Sequence, residues 1–245
     1  MERSIGNGLE ITGRLVGKTA GRLFVNYERH QANKFEINAT GLENIVTVSG
    51  KSFIVAANHL EPEGFARQQL GGAPDSFVVE NIVNELNPFP IKSVSNGDFM
   101  LWVFQNKTAR RIQRKIERIL TGFLEGTGDV ITAKLNPGSV NVDFVRKVER
   151  AVSQNSPILI FPEGTWYKDW QSDHQLKDGT ALIAKRFNLP IIPAYVGGAN
   201  SWKRGTKVEV AFGKPIDTND KTRREITENI RQGITQLQQS MQAKP

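Results

Sequence analysis

The chain has 245 residues, of which 38% are hydrophobic and 23% charged, and it contains no cysteine. This length allows one sizeable hydrophobic core, and the lack of cysteine excludes disulfides, thiolate catalysis and cysteine-rich metal sites. A net charge of +7 favours acidic partners, such as phosphorylated substrates, an acidic carrier protein, an anionic membrane surface or nucleic acid. No run approaches the roughly 20 apolar residues of a spanning helix, and no signal peptide is evident at Met1 to Ser4. We therefore expect a cytoplasmic protein, either soluble or peripheral at the inner face of a membrane.

Residues 1–34 carry apolar side chains at loosely helical spacing, interrupted by glycines, and we predict a helical N-terminal lead-in. Residues 35–245 alternate between two patterns. Short apolar or alternating runs predict strands at 35–37, 52–57, 89–94, 129–133, 157–161, 190–193 and 208–212. Apolar residues at helical spacing predict helices at 75–86, 99–124, 142–152, 176–187 and 226–241. Strands that alternate with helices predict a single α/β domain over 35–245, with a mostly parallel mixed sheet flanked by helices.

The predicted helix at 99–124 combines an apolar stripe with a dense run of cations. These cations are Lys107, Arg110, Arg111, Arg114, Lys115 and Arg118. One interpretation is a basic face that binds an acidic carrier, a lipid headgroup or phosphate. The other is the solvated outer face of an ordinary packed helix.

Polar residues follow two of the predicted buried strands. Asn58 and His59 come directly after 52–57, and Pro162 to Thr165 follow 157–161. Because the carboxyl ends of parallel strands meet at one edge of a sheet, we expect these two polar segments to lie close together. A histidine fixed at such an edge can act as a general base near neutral pH. The alternative is a histidine that makes one structural hydrogen bond at a strand end.

Three segments, in this order, resemble motifs of the glycerolipid acyltransferases, which include glycerol-3-phosphate and 1-acylglycerol-3-phosphate acyltransferases. They are Ala56 to His59, Phe161 to Thr165 and Pro190 to Ala194, and the likeness extends from Phe35 to Phe212. The resemblance implies that His59 is a general base. It accepts a proton from a hydroxyl of a glycerol-phosphate or lysophospholipid-type acceptor while that hydroxyl attacks an acyl thioester of acyl carrier protein or coenzyme A. An O-acyltransferase of phospholipid biosynthesis follows, with no cofactor and no metal.

One other function remains open. A catalytically inactive, lipid-binding relative at the membrane surface is the alternative, because the sequence departs from the family pattern. A nucleic-acid partner is not expected, since no binding motif accompanies the positive charge.

The clearest departure concerns the acid that should accompany His59. The family has an aspartate after four intervening residues, and this chain has Gly64 at that position. Glu63 lies one position earlier. Asp75 lies sixteen residues from His59 but opens a helix, as the family aspartate does, so we favour Asp75 and infer an insertion within residues 60–74.

The acceptor-binding motifs are also altered. An arginine of the family's second motif has only Lys134 near its position, and the arginine of the third motif is replaced by Trp166 and Tyr167, followed by Lys168. A lysine keeps the charge of an arginine but loses its two-pronged geometry. From the resemblance, substrate binding is assigned to Asn58, Lys134, Glu163, Gly164, Thr165, Lys168 and Pro193.

Aromatic residues follow the third motif, and two interpretations are open for them. Trp166, Tyr167 and Trp170 either line an acyl groove or form a partly buried cluster beneath a loop. The remaining histidines, His30 and His174, match no ligand or catalytic spacing.

Overall fold

The computed structural model describes residues 30, 35–63, 74–96, 119, 122–123, 125–133, 142–201 and 203–243. Apart from His30, the lead-in predicted for residues 1–34 lies outside this part of the chain, as does the basic segment 107–118. The domain boundary at residue 34 therefore stays a prediction.

The described strands and helices largely alternate along the chain, as predicted, although the last two strands follow each other directly. The strands are β1 (Glu36–Thr40), β2 (Ile54–Ala57), β3 (Lys92–Asn96), β4 (Val130–Ala133), β5 (Ile158–Ile160), β6 (Ile191–Gly197) and β7 (Lys207–Phe212). The helices are α1 (Leu42–Val46), α2 (Pro74–Leu86), α3 (Val142–Ser153), α4 (Gly179–Phe187) and α5 (Arg223–Gln242).

Seven strands form one sheet in the order β1-β7-β6-β2-β5-β3-β4. β2 pairs in parallel with both β5 and β6, and β3 pairs in parallel with β5. β7 runs antiparallel to β6 and parallel to β1. All four residues of β2 are buried, as expected of a central strand covered on both faces. The predicted α/β class, with a mostly parallel mixed sheet, is confirmed.

Contacts divide the chain into two compact units. One consists of Met1–Glu28 and Val94–Lys147, and the other of Arg29–Ser93 and Val148–Pro245. The candidate active site lies entirely within the second unit.

Of the helices that the structure describes, none combines the length and the apolar character needed to cross a bilayer.

Several element bounds differ from the predicted ones for identifiable reasons. β3 begins only at Lys92, whose N–H donates to the carbonyl of Pro157. β6 continues to Gly197 because its second half pairs with β7. α5 begins at Arg223, since Thr222 and Glu225 form a capping box at its N-terminus. The short helix α1 was not predicted.

Candidate active site

Two loops at one edge of the sheet form the site. Loop 1 (residues 58–63) follows β2 and loop 2 (residues 161–170) follows β5, and β2 and β5 are adjacent parallel strands. The loops are also bonded to each other. The N–H of Tyr167 donates to the carbonyl of His59 at 3.0 Å, and the N–H of Glu61 donates to the carbonyl of Tyr167 at 2.7 Å. The two polar segments singled out in the sequence therefore lie together.

Asn58 anchors the start of loop 1 to β6. Its side chain is 1% exposed. Its amide nitrogen donates to the carbonyl of Val196 at 2.9 Å, and its amide oxygen accepts from the N–H of Val196 at 2.7 Å. Both ends of the amide are therefore used within the protein, and Asn58 positions His59 instead of facing an acceptor.

Replacing Asn58 by alanine is expected to lower the free energy of unfolding by about 3 kcal/mol. The substitution leaves two buried backbone groups of Val196 without partners, and each such loss costs about 1–3 kcal/mol. Chemical denaturation measures the change. Asn200→Ala is the matched control, since its side chain bonds Glu63 at the exposed surface, and equal losses in the two variants would contradict the structural role of Asn58.

His59 and the buried Asp75 form a pair despite their separation in the sequence. Nδ1 of His59 lies 2.8 Å from Oδ2 of Asp75. The same carboxylate accepts from the N–H groups of Leu60 and Ser76, each at 2.7 Å, and Asp75 is fully buried in the first turn of α2. A helix N-terminus stabilises negative charge. Asp75 is thus fixed by its own hydrogen bonds and holds the imidazole in turn.

Glu63, the alternative acid, lies elsewhere. Its carboxylate accepts from the side-chain amide of Asn200 at 2.8 Å, and its backbone N–H donates to the backbone carbonyl of Asn200 at 2.7 Å. The structure brings Asp75, and not Glu63, to the imidazole.

Two aromatic side chains surround the imidazole of His59, which is 17% exposed. Phe161 stacks on the ring with centroids 3.9 Å apart and an angle of 15° between planes. Trp166 meets it edge-on at 5.7 Å and donates its indole N–H to Nε2. With Asp75 accepting from Nδ1, the hydrogen bonds select the tautomer that has its proton on Nδ1 and a lone pair on Nε2, which accepts the indole N–H of Trp166.

Glu163 is buried, with 2% of its surface exposed, and it contacts the backbone of His59. One carboxyl oxygen accepts from the backbone N–H of His59 at 2.7 Å, and the other lies 3.3 Å from Nδ1 of His174. The pKa of Glu163 is raised to about 8, mainly by burial and also by the nearby charge of Asp75, although the hydrogen bond from the backbone of His59 lowers it. Burial also lowers the pKa of His174. At neutral pH, Glu163 and His174 therefore form a neutral hydrogen-bonded pair in which the carboxyl group donates.

The remaining residues assigned from the sequence are distributed differently. Gly164 adopts φ 62°, in the left-handed region that favours glycine, and Thr165 and Lys168 beside it are exposed. Pro193 does not face the loops: its ring lies against Gly213 and Gly233, where an added Cβ would come within 2.8 Å of it. Pro193 thus belongs to the packing of β6 on α5. Lys134 lies outside the described residues.

Three residues near the site were not predicted. They are Phe161, which stacks on the imidazole, His174, which contacts Glu163, and Lys177. The side chain of Lys177 lies over Gly164, so that a Cβ added there would be 2.6 Å from its amino group. Lys177 also donates its backbone N–H to Pro162, and α4 starts later than predicted, at Gly179. His174 and Lys177 lie outside the matched motif in the sequence, and only the folding of the chain brings them close to its residues Glu163 and Gly164.

Of the two interpretations of the aromatic residues in loop 2, the buried cluster applies to Trp170, and the acyl groove stays a prediction. Trp170 is 2% exposed and donates its indole N–H to Thr235, so it lies beneath the loop. Trp166 is 39% exposed and contacts the imidazole of His59 directly. Tyr167 stacks on His174 at 3.7 Å between ring centroids. Within the described ranges, no three histidine, aspartate or glutamate side chains converge as metal ligands.

Comparison with known proteins defines the class. The sequence model of the Acyltransferase family matches residues 36–197, which is more than half of the chain and contains both loops. The chain therefore belongs to the Acyltransferase family, and the predicted family and enzyme class are confirmed.

Among solved structures, the chain is similar to the 1-acyl-sn-glycerophosphate (LPA) acyltransferase PlsC from Thermotoga maritima. The two share 14% identical residues and a TM-score of 0.57, over 100% of this chain and 99% of that one. At this identity the likeness demonstrates a common fold. No curated protein matches the sequence.

Proposed function

We propose that the protein transfers a fatty acyl group from a thioester to a hydroxyl of a glycerol-phosphate or lysophospholipid-type acceptor, with His59 as the general base. The observation that carries this proposal is the 2.8 Å contact between Nδ1 of His59 and the buried carboxylate of Asp75. It fixes the tautomer that leaves the lone pair of Nε2 directed away from the acid.

The proton moves in two steps. As the acceptor oxygen attacks the thioester carbonyl, its proton passes to Nε2, because a hydroxyl with a pKa far above 7 is a poor nucleophile without a base. The carboxylate of Asp75 stabilises the imidazolium that forms. When the tetrahedral intermediate collapses, the carbon–sulfur bond breaks, and the departing thiolate takes the proton back from Nε2. No covalent acyl-enzyme is required.

The acyl donor is proposed to be acyl carrier protein or coenzyme A, both of which are acidic. The net charge of +7 supports attraction of either donor. The charge does not distinguish them, so an assay must include both thioesters.

A decisive assay measures thiol release from both donors with a panel of glycerol 3-phosphate, lysophospholipids and monoacylglycerol. We expect acceptor-dependent release by the wild type, and a loss of about a thousandfold or more in His59→Ala. Retained activity in His59→Ala would refute the mechanism. Thioester consumption with none of the acceptors, together with liposome binding, would instead favour the inactive lipid-binding relative.

Lys177 is our candidate for binding the phosphate of the acceptor. Its amino group lies against Gly164, next to Glu163, in the loop whose family arginine is missing here. We expect Lys177→Met to raise KM for a phosphorylated acceptor roughly tenfold, the value of one charge-assisted hydrogen bond, without changing KM for monoacylglycerol.

Lys185→Met is the matched control for this prediction, because the amino group of Lys185 bonds the carbonyl of Lys221 away from the loops. Steady-state kinetics with the acceptor pair measures the effect. An equal rise of KM for both acceptors in Lys177→Met would argue against phosphate recognition by this residue.

A further inference from the structure

Trp166 donates its indole N–H to Nε2 of His59, the nitrogen that must accept a proton in the proposed reaction. Nε2 has a single lone pair once Nδ1 carries the proton. That lone pair can accept either the indole N–H or the hydroxyl of an acceptor, and not both at good geometry. In this arrangement the base is therefore already engaged.

The surroundings of Trp166 allow its side chain to leave this position. Trp166 is 39% exposed, whereas Trp170 in the same loop is 2% exposed. The following residue, Tyr167, is held through both its N–H and its carbonyl to loop 1. Rotation about the side-chain bonds of Trp166 thus frees Nε2 while the backbone of the loop stays in place. Exposed side chains undergo such rotations on a nanosecond scale, far faster than turnover.

We propose that Trp166 covers the catalytic base: without an acceptor its indole occupies Nε2 and excludes water, and the acceptor hydroxyl displaces it. This inference rests on the proposed function of His59. An uncovered base would accept a proton from water instead. The resulting hydroxide would attack the thioester carbonyl and break the carbon–sulfur bond, yielding a free fatty acid and the thiol. The cover prevents this loss of the activated acyl group.

The indole of Trp166 and the acceptor hydroxyl compete for Nε2 of His59, and this competition has a measurable consequence for acceptor binding. Acceptor binding must displace the indole, so its apparent affinity is lowered by the fraction of molecules in which Nε2 is occupied. Removing the indole N–H should therefore lower KM for the acceptor. A purely structural role of Trp166 would have the opposite result, since a disordered loop would raise KM.

The test compares Trp166→Phe, which keeps an aromatic ring but has no N–H, with Trp166→Ala, which removes both. We expect thioester hydrolysis without acceptor to rise about tenfold relative to acyl transfer in both variants, and acceptor KM to fall several-fold. Trp170→Phe is the matched control, because it removes an indole N–H that bonds Thr235 instead of the base. It should change neither quantity.

A second readout does not depend on activity. Diethyl pyrocarbonate modifies neutral imidazole nitrogen, and mass spectrometry can follow its reaction at His59, with His30 of the same molecule as the internal reference. We expect faster modification of His59 in both Trp166 variants than in the wild type. Unchanged modification together with unchanged hydrolysis would overturn the cover. Faster modification in a protein without transferase activity would refute the proposed function and leave the cover standing.

Discussion

Asp75→Asn is expected to lower kcat/KM for acyl transfer by about a thousandfold or more. An asparagine amide cannot provide the negative charge that stabilises the imidazolium. Its nitrogen can also donate to Nδ1, which would move the ring proton to Nε2 and remove the acceptor site for the substrate proton. The effect should appear in kcat, since Asp75 contacts His59, the proposed base, and not the substrate.

Glu63→Gln is the matched control for this prediction. Both variants replace an acid by its amide near an end of the segment that joins β2 to α2, but Glu63 bonds Asn200 at the surface. We expect Glu63→Gln to retain activity within about twofold, because exposed polar contacts contribute little. A large loss in Glu63→Gln with a small loss in Asp75→Asn would transfer the role to Glu63. Thiol-release kinetics on both proteins decides between them.

Glu163→Ala is expected to lower kcat/KM about a hundredfold, because a small displacement of a catalytic group suffices for such a loss. The alanine leaves the backbone N–H of His59 without its 2.7 Å partner, at the residue that carries the base. His174 loses its contact with the carboxyl group as well. Glu163→Gln is the informative comparison, since an amide resembles the neutral carboxyl group. It should retain most of the activity at pH 7.

The wild type and Glu163→Gln should differ in how kcat/KM depends on pH. Burial raises the pKa of Glu163 to about 8, so the wild type loses the neutral carboxyl group as the pH rises through that value. We expect its kcat/KM to fall above about pH 8, whereas the profile of Glu163→Gln stays flat there, after correction for chemical hydrolysis of the thioester. Parallel profiles would contradict this role of the neutral carboxyl group.

The raised pKa of Glu163 also predicts that the free energy of unfolding depends on pH. Burial raises the folded-state pKa of Glu163 to about 8, from an ordinary value of 4.5, so the folded protein binds more protons between these values than the unfolded chain does. The stabilising contribution is complete below pH 4.5 and is lost as the pH rises to about 8, by at most about 1.4 kcal/mol per pH unit. Denaturation of Glu163→Gln should lack this component.

The fold was largely predictable because the apolar runs of the buried strands are nearly continuous and separated by amphipathic helices. Ile54–Ala57 and Ile191–Gly197 are buried throughout. Asp75 was also favoured from the sequence, since a carboxylate in a first helical turn is a local signal that survives an insertion.

The remainder of the site could not be predicted because its contacts are long-range and involve residue types with no fixed role. Trp166 and His59 are 107 residues apart, and nothing local distinguishes an indole that bonds a base from one that fills a loop. Burial lowers the pKa of His174, which lies against Glu163, and no local pattern in the sequence reveals this. Asn58 and Pro193 show the converse case, in which matched motif positions serve packing and backbone pairing.

Because the N–H of Leu60 bonds Asp75, the geometry of the His59–Asp75 pair does not depend on the length of the connection between the two residues. Both ends of that connection are fixed, one at the end of β2 and the other in the first turn of α2. Doubling the length of a flexible connection costs only about 0.6 kcal/mol in closure entropy. A sequence pattern that requires the usual spacing between histidine and aspartate does not fit this chain, whereas a pattern of a histidine after a buried strand and an aspartate opening the next helix does.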